Sequence, residues 1–409
     1  MRSLLLSVLS IILFTAPLCA MTLEEAVDHA LRNNPELMAF RLETGVAQGQ
    51  MERAKLPLIF NPVLEGSVVK KEKSSDPGAR GFTDYGVKLS QEFEIAGQRG
   101  VRIEVAQKEI SRTDQEIKDW ERTLVYEVKG AFAKALADKK REELTSEAVR
   151  LKEDLLGFTR IKFQAGQVSG LEVNLAEVEV SKTKRELLLA VREYREARLS
   201  LQRLVGMRPD GAFSVQGELS ADLPGAPDKE SLKKLAAARR PDMKAASIEI
   251  ERTTLAQRLV NRLALPNVTL AGFYDRDEER NTGGIALSVP IPFFDKKQAE
   301  KSEARARAEQ ARLNYAGLEK TIDKEVEVAY NDFSTSLEEL SLFRQEILNK
   351  AAENLNLMKL AFKEGKIGFF DVRLAQKDTI ELQFTHLDAL LRARLALNAL
   401  ESISGGTLP

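Results

Sequence analysis

The sequence predicts a mainly α chain with a smaller β part, built as two tandem copies of a long helical hairpin with a strand pair in each. Three observations predict it. Phe163-Gln-Ala-Gly166-Gln-Val-Ser169-Gly-Leu171-Glu-Val173 returns 199 positions later as Phe362-Lys-Glu-Gly365-Lys-Ile-Gly368-Phe-Phe370-Asp371-Val372. Long proline-free stretches carry apolar residues at spacing seven. Two polar-interrupted windows switch to alternation at spacing two. A fixed period with matched punctuation means two structural copies of one unit, and the two spacings separate its helices from its strands.

The chain of 409 residues opens with a targeting pattern. Arg2 gives the positive start, Leu4 to Phe14 the apolar run, and Leu18-Cys19-Ala20 a small-residue cleavage site. Residues 1–20 read as a secretory signal peptide cut after Ala20, the run being too short for a membrane span. Lipidation of Cys19 is the alternative, and Pro17-Leu18 approaches it poorly. A cut after Ala20 removes the only cysteine, and with it any disulfide or thiolate site. It also removes Arg2, taking 61 basic residues to 60 against 62 acidic ones, a net charge of −2. No basic excess points to nucleic acid.

Repeat 1 is expected over 21–205, a linker over 206–228, repeat 2 over 229–404 and a tail over 405–409. Each repeat begins with two short helices, where Asn34-Pro35-Glu36-Leu37 is echoed by Arg240-Pro241-Asp242-Met243. A strand pair follows. In the first window, Leu56 to Ile95, Val63–Lys70 and Tyr85–Phe93 are strands, and Lys71–Thr83 is a polar loop with Asp76-Pro77-Gly78. In the second, Asn267–Tyr274 and Ile285–Ile291 are strands and Arg276–Gly284 a charged loop. Ile285, Leu287, Val289 and Ile291 alternate with Ala286, Ser288 and Pro290, the period of a sheet with two different faces.

The hairpins come last. Gly97 to Phe163 lacks proline and places Ile103, Ile110, Ile117, Leu124 and Ala131 at spacing seven. Such a helix would reach roughly 100 Å. After Gly166 a second helix runs to Val205, with one stripe at Val173, Val180, Leu187, Tyr194 and Leu201 and another at Ala176, Thr183, Ala190, Ala197 and Leu204. The second copy repeats it at Val372, Thr379, His386, Ala393 and Leu400, with Ala375, Leu382, Ala389, Ala396 and Ile403. Periodicity alone fits a free-standing rod equally well; the strand windows decide against it. Four strands per chain cannot close a barrel, for which about eight is the practical minimum, and open edges have no water to satisfy them in lipid. Several chains must therefore pool their strands, whose lengths suit tilted membrane strands.

This order of motifs resembles the TolC family of outer-membrane efflux proteins over essentially the whole mature chain. The carriers are Leu23-Glu-Glu-Ala26-Val-Asp-His-Ala30-Leu-Arg-Asn-Asn-Pro35-Glu-Leu37, the strand-to-helix passage Ser90-Gln91-Glu-Phe93-Glu-Ile95-Ala-Gly97-Gln-Arg99, and the two motifs around Gly166 and Gly365. The run Glu92 to Gly100 looks most like the branch serving cobalt–zinc–cadmium exporters. The resemblance implies a homotrimer whose helices form an α-barrel and whose four strands per chain complete a twelve-stranded β-barrel in outer-membrane lipid. It implies an exit duct that passively conducts substrate, heavy-metal cations among them, from an inner-membrane pump of the RND type and a periplasmic adaptor. The exit duct of a type I secretion system is the alternative within the fold. A periplasmic coiled-coil adaptor is the alternative outside it, and the duplicated strand pairs argue against that.

The resemblance also directs attention to the turns. Asp371 takes the place of a first aspartate that rings the inner opening in the family, while Leu374 stands where a second is found. Phe362 stands where relatives carry a tyrosine. Asp371 equally suits a helix start, favoured by the macrodipole. The turns at Gly166, Ser169, Gly365 and Gly368 are expected to meet the adaptor, although glycine is also the usual helix stop. No enzyme is expected, since no nucleophile–base arrangement occurs. No cofactor or metal site is expected either: His29 and His386 read as packing or surface residues, with no cluster at metal-ligand spacing. Gly97-Gln-Arg-Gly100 reads as a tight turn, lacking the full phosphate-loop pattern. The runs Lys139–Glu143 and Lys296–Glu309 read as solvated helix faces.

Overall fold

The computed structural model describes residues 19–71, 81–209, 213–277, 279–343 and 345–406. Most of the targeting segment, Asp76-Pro77-Gly78 and the last three residues of the tail lie outside them. The first copy runs β1 (Cys19–Met21), α1 (Leu23–Asn33), α2 (Pro35–Arg41), α3 (Glu43–Lys55), β2 (Val63–Lys71), β3 (Phe82–Phe93), α4 (Gln98–Gln164) and α5 (Gly170–Leu204). The second runs β4 (Phe213–Val215), α6 (Lys229–Arg239), α7 (Pro241–Leu263), β5 (Val268–Arg276), β6 (Asn281–Ser288), α8 (Gln298–Leu342), α9 (Gln345–Lys363) and α10 (Phe369–Ile403). Two compact units cut across this order. One holds residues up to Met38, Trp120–Arg239 and Asp323 onward; the other holds Ala39–Asp119 and Arg240–Ile322.

Four departures from the sequence expectation stand out. The first copy opens with three short helices rather than two, because Leu42 donates to Ala39 O in a tightened turn (3.1 Å). The second copy's long helix is split into α8 and α9, whereas α4 runs unbroken for 67 residues. Near the split the Ser341 hydroxyl bonds back to Glu338 O (2.7 Å) and Phe343 N donates to Leu340 O (3.0 Å). Such local bonds compete with the helical ladder, and Phe343 packs on Leu340, Ala389, Leu390 and Ala393. The last strand starts at Asn281, inside the expected loop, and stops before Pro290. Finally, β1 and β4 form a parallel pair that lies beyond the four expected strands.

The first unit has its core where α1, α4 and α5 meet, around Ala26, Leu37, Leu124, Val128, Phe132 and Leu201. The α5 stripe is the buried face: Ala176, Thr183, Ala190, Ala197 and Leu204 are all buried, with Val180 and Leu201 beside them. In α10 Val372, Thr379, Ala389, Ala393 and Leu400 are buried, and burial spreads to Leu387, Leu390 and Leu397. In α4 the expected stripe only borders the buried face. Leu124 is buried, but Ile103, Ile110, Ile117 and Ala131 are half-buried. A straight helix of 3.6 residues per turn drifts about 20° per heptad, so one residue in seven cannot stay on one line over this length.

Both copies use the same helix stops. Gly166 N donates to Phe163 O and Gln167 N to Lys162 O; Gly365 N donates to Phe362 O and Lys366 N to Ala361 O. Gly206 and Gly405 close α5 and α10 with the same bond pair. All four glycines are left-handed, with φ between +72° and +82°. This is the Schellman pattern, in which glycine takes the αL position without a Cβ penalty. Gly206 is locked further. Asn34 Nδ2 donates to Leu204 O (2.9 Å), Leu37 N donates to Asn34 Oδ1 (2.9 Å), and His29 Nδ1 donates to Val205 O (2.7 Å). The Asn34-Pro35 elbow thus clamps the end of α5.

In the second unit the strands form one antiparallel sheet in the order β2-β3-β5-β6. Register aligns Leu64, Leu89, Gly272 and Ile285 across it, then Gly66, Val87, Tyr274 and Gly283. On this face Leu64, Val68, Tyr85, Val87, Leu270, Ile285 and Leu287 are all exposed. The opposite face aligns Glu65 with Lys88, and Ser67 with Gly86, Asp275 and Thr282. Lys88 pairs with Glu65 (3.0 Å), and Lys71 with Asp84. One face is therefore an exposed, largely apolar band and the other is mainly polar, with Val63, Val69 and Phe273 among its residues; among the described residues β2 and β6 are the edge strands. Passage from sheet to helix repeats as well. Gln98 Oε1 accepts from Ala96 N and Gln298 Oε1 from Lys296 N, both at 2.8 Å. Gly97, left-handed at φ +71°, makes the turn, whereas Gln98-Arg99-Gly100 already belong to the first turn of α4. Among the described residues no helix is long and apolar enough to cross a membrane.

Two outcomes test this. A Cβ at Gly206 would meet Asn33 O at 2.3 Å. Gly206→Ala should cost at least about 2 kcal/mol, read as a lower midpoint of thermal unfolding by circular dichroism; an unchanged midpoint would count against the elbow. On the sheet, Val87→Arg should cost about 2–4 kcal/mol if its face meets hydrocarbon, and membrane fractionation should show lost insertion. Ser90→Arg, on the other face, should insert normally.

Candidate functional site: the ends of the two helical hairpins

Both hairpin ends lie in the first unit, and their side chains interlock. Leu155 and Ala176 of the first hairpin share one buried cluster with Phe362, Phe369 and Val372 of the second. Phe362 is only 2% exposed. Its repeat mate Phe163 is 49% exposed. The reason lies in the partners: Phe369, fully buried in the second copy, corresponds to Gly170 in the first, so the first copy has no second ring to close over Phe163.

Cations tie the ends together. Lys162 Nζ sits 5.1 Å from the Phe362 ring centre and Lys363 Nζ 4.2 Å from that of Phe158. Each hairpin thus rests a lysine on an aromatic ring of the other, within cation–π range. Deeper in, Glu179 joins three helices. Arg373 Nη2 donates to it at 2.9 Å, and Lys152 Nζ lies 3.6 Å away. Burial weighs most on Lys152 and pushes its ammonium below the usual lysine range despite Glu179. Burial also opposes the Glu179 carboxylate, but the Arg373 hydrogen bond and the charges of Lys152 and Arg373 together hold it below the usual carboxylate range. Gln376 Nε2, fully buried, donates to Leu151 O (2.9 Å).

The turn residues fall into matched places. Ser169 precedes α5, and its backbone N (2.6 Å) and hydroxyl (3.1 Å) both donate to Glu172 Oε2. Gly368 precedes α10, and its N donates to Asp371 Oδ2 (2.9 Å). Asp371 is therefore the repeat mate of Glu172, an acid three residues into its helix that caps the helix start. It is exposed, as is Leu374. Gly166 and Gly365 hold the left-handed stops, whereas Gly368 has an ordinary φ of −82°. The structure thus brings Phe362 to Phe369 and Asp371 to Gly368, and leaves Gly166 and Ser169 on the surface of the first turn.

Sequence reading missed Phe369, Lys162, Lys363 and the Lys152–Glu179–Arg373 group. The mismatch of Gly170 with Phe369 inside otherwise matched motifs was the available signal. Elsewhere, burial lowers the pKa of His386, whose ring centre lies 5.8 Å from that of Phe343. Among the described residues no three His, Cys, Asp or Glu side chains gather to hold a metal ion.

Comparison with known proteins places this architecture. The chain is 24% identical over 387 residues to the cobalt-zinc-cadmium resistance protein CzcC of Cupriavidus metallidurans, covering 94% of this chain and 90% of that one. It is 22% identical to the pyoverdine export outer membrane protein OpmQ of Pseudomonas aeruginosa, over 91% of this chain and 82% of that one. Its fold matches that of CusC with a TM-score of 0.78 at 18% identity, covering 94% and 92% of the two chains. It matches the outer membrane protein VceC of Vibrio cholerae with a TM-score of 0.75 at 18% identity, covering 94% and 96%. Of these, OpmQ and VceC are outer membrane proteins and CusC forms a transmembrane channel. The family model for outer membrane efflux proteins matches residues 26–207 and again 232–406, and the chain belongs to that family.

Proposed function

We propose that the chain is the outer-membrane exit duct of a tripartite efflux pump. The observation that carries this reading is the four-stranded sheet with one largely apolar face, one mainly polar face and two edge strands. In hydrocarbon such edges must be paired. Joining β6 of one copy to β2 of the next closes a barrel of twelve strands from three chains, with the polar face around an aqueous interior. The helical hairpins then wall the periplasmic part of the duct. An inner-membrane pump of the RND type feeds it through a periplasmic adaptor that meets the turns at Gly166, Ser169, Gly365 and Gly368. Mass measurement in detergent should give three chains, and planar bilayers should show discrete single-channel conductance. A monomer without conductance would overturn the reading.

For the cargo, the similarity to a cobalt-zinc-cadmium resistance protein supports heavy-metal cations. A duct with a wide water-filled interior needs no metal ligands of its own. Deletion in the native host should lower tolerance of cobalt, zinc or cadmium, and plasmid-borne chain should restore it.

The gate belongs to the same proposal. Phe362 sets how closely α9 lies on the first hairpin, and three copies of Asp371 ring the inner opening. Converging carboxylates attract cations and bind multivalent ones as a plug. Asp371→Ala should reduce cation selectivity and relieve block by trivalent cations severalfold in planar bilayers. Because Asp371 also caps α10, Asp371→Asn provides the control: it keeps an acceptor at the cap and should give the same loss of selectivity. Trp in place of Ser169 and Gly368 should abolish efflux while three-chain assembly and conductance persist. Surviving efflux would put adaptor docking elsewhere.

A further inference from the structure

We infer that the loop end of the sheet's apolar face binds the phosphate-bearing headgroup of an outer-leaflet lipid through Lys70 and Arg276. The inference rests on the exit-duct reading, which puts that face in lipid, and adds the chemistry of the lipid that meets it.

Charge is divided between the two faces of the sheet. The mainly polar face carries the carboxylates Glu65, Asp84, Glu92 and Asp275, with Lys71 and Lys88 among them. The apolar face carries no carboxylate in any of the four strands. Its charged residues there are Lys70 and Arg276, both basic and both exposed. They also share one end of the sheet. Lys70 is the last but one residue of β2 and Arg276 the last of β5, where the strands turn back in loops; the opposite end joins the helices. Beyond the strands, Asp277 is turned to its own loop, accepting from Glu279 N (3.0 Å) and Arg280 N (2.7 Å).

The order of residues along the face gives the depth. Leu64, Val87, Leu270, Ile285 and Leu287 form its aliphatic centre, and all are exposed. Tyr274 lies two residues inward of Arg276, and Tyr85 pairs with Arg276 across the ladder. Aliphatic, then tyrosine, then cation is the order in which a membrane strand passes from hydrocarbon through the interface to the headgroups. A cation on the lipid face is costly at the bilayer midplane and tolerated near the interface, where long basic side chains extend toward the headgroups. With the helical hairpins in the periplasm, this end meets the outer leaflet.

Spacing gives the site its form. Lys70 on β2 and Arg276 on β5 stand two strand spacings apart across β3, roughly 10 Å. Joining β6 of one copy to β2 of the next places another Lys70 two strands from Arg276 on its other side. The closed barrel then carries Lys and Arg alternately on every second strand, a ring of positive charge on a face without carboxylates. The group that neutralises this ring must be anionic, lie at headgroup depth and continue into acyl chains over the aliphatic centre. Phosphate accepts from ammonium and guanidinium alike, and a phosphorylated lipid meets all three demands.

The test uses the full-length protein purified in a neutral detergent, with bound lipid read by native mass spectrometry. The probes are bisphosphorylated lipid A and the same lipid with both phosphates removed. The phosphorylated form should bind about tenfold tighter, the scale of two basic side chains at an anionic lipid surface. Lys70→Gln with Arg276→Gln should bring the two lipids to within about twofold of each other. Lys70→Arg with Arg276→Lys should keep the preference, and so should Lys88→Gln on the other face. Excess inorganic phosphate should not displace the lipid. Equal binding of the two lipids, a preference that survives the double glutamine variant, one lost in the charge-conserving pair or in Lys88→Gln, or displacement by inorganic phosphate would overturn the inference. Single-channel conductance on the same preparation separates the two ideas. Conductance without a phosphate preference overturns only the lipid chemistry, whereas a phosphate preference without conductance overturns the duct.

Discussion

Backbone groups at a sheet edge must find partners, and in hydrocarbon water cannot supply them. This one constraint organises the chain. The strands β2, β3, β5 and β6 pair with each other through long registers, yet β2 and β6 each keep one side unpaired. A soluble protein would blunt such edges with charge, bulges or a covering element. Here the edge strands instead present Leu64, Val68, Ile285 and Leu287 on one face. Covering that face with water would cost roughly 25 cal/mol for each Å² of apolar surface. Lipid removes that cost and makes edge pairing obligatory at the same time.

Duplication answers the constraint at the level of the chain. Two strand pairs from two repeats double what one unit brings to a shared sheet, and the same turn chemistry serves both. Gly166, Gly365, Gly206 and Gly405 each end a helix with the same two bonds, and Gln98 and Gln298 each fold back on the entering turn. Repeated local chemistry marks where each helix starts and stops. Distant packing then chooses which face is buried, as the Asn34 elbow does at the end of α5.

The parts of this fold that were legible in the sequence are those fixed by local rules. The Gly166 and Gly365 motifs marked the hairpin turns because a left-handed helix stop needs glycine. The small residues from Ala176 to Ala197 marked the buried face of α5 because their spacing repeats over several turns. The strands were legible from alternation to within a few residues. Elements decided by non-local contacts were not legible. Three residues at Phe213–Val215 are too few to show a period; they are placed by the core around Leu201 and pair with Cys19–Met21. The split between α8 and α9 contains neither proline nor glycine; Phe343 leaves the helix to join a cluster contributed by α8 and α10. At the hairpin ends, the turn residues were legible but their interlock was not. Phe163 and Phe362 read as equivalent, and only Gly170 against Phe369 determines that one ring is exposed and the other buried.

That last difference has a consequence for how a duplicated chain can act. Two identical hairpins would present identical ends, and nothing would distinguish contact within a chain from contact beyond it. The departures from repeat symmetry gather where that distinction is made. Phe369 replaces Gly170 and seals Phe362 inside; Gly368 replaces Ser169 and leaves its helix start without a hydroxyl. Lys152, which is buried, and the partly exposed Glu179 and Arg373 tie the second hairpin to the first through charge. The second hairpin is thus held by its own chain's first hairpin, while the exposed Phe163 leaves the first hairpin's end with apolar surface still uncovered. Conservation of the turn glycines keeps both ends the same length, and divergence of the side chains around them gives the two ends different work.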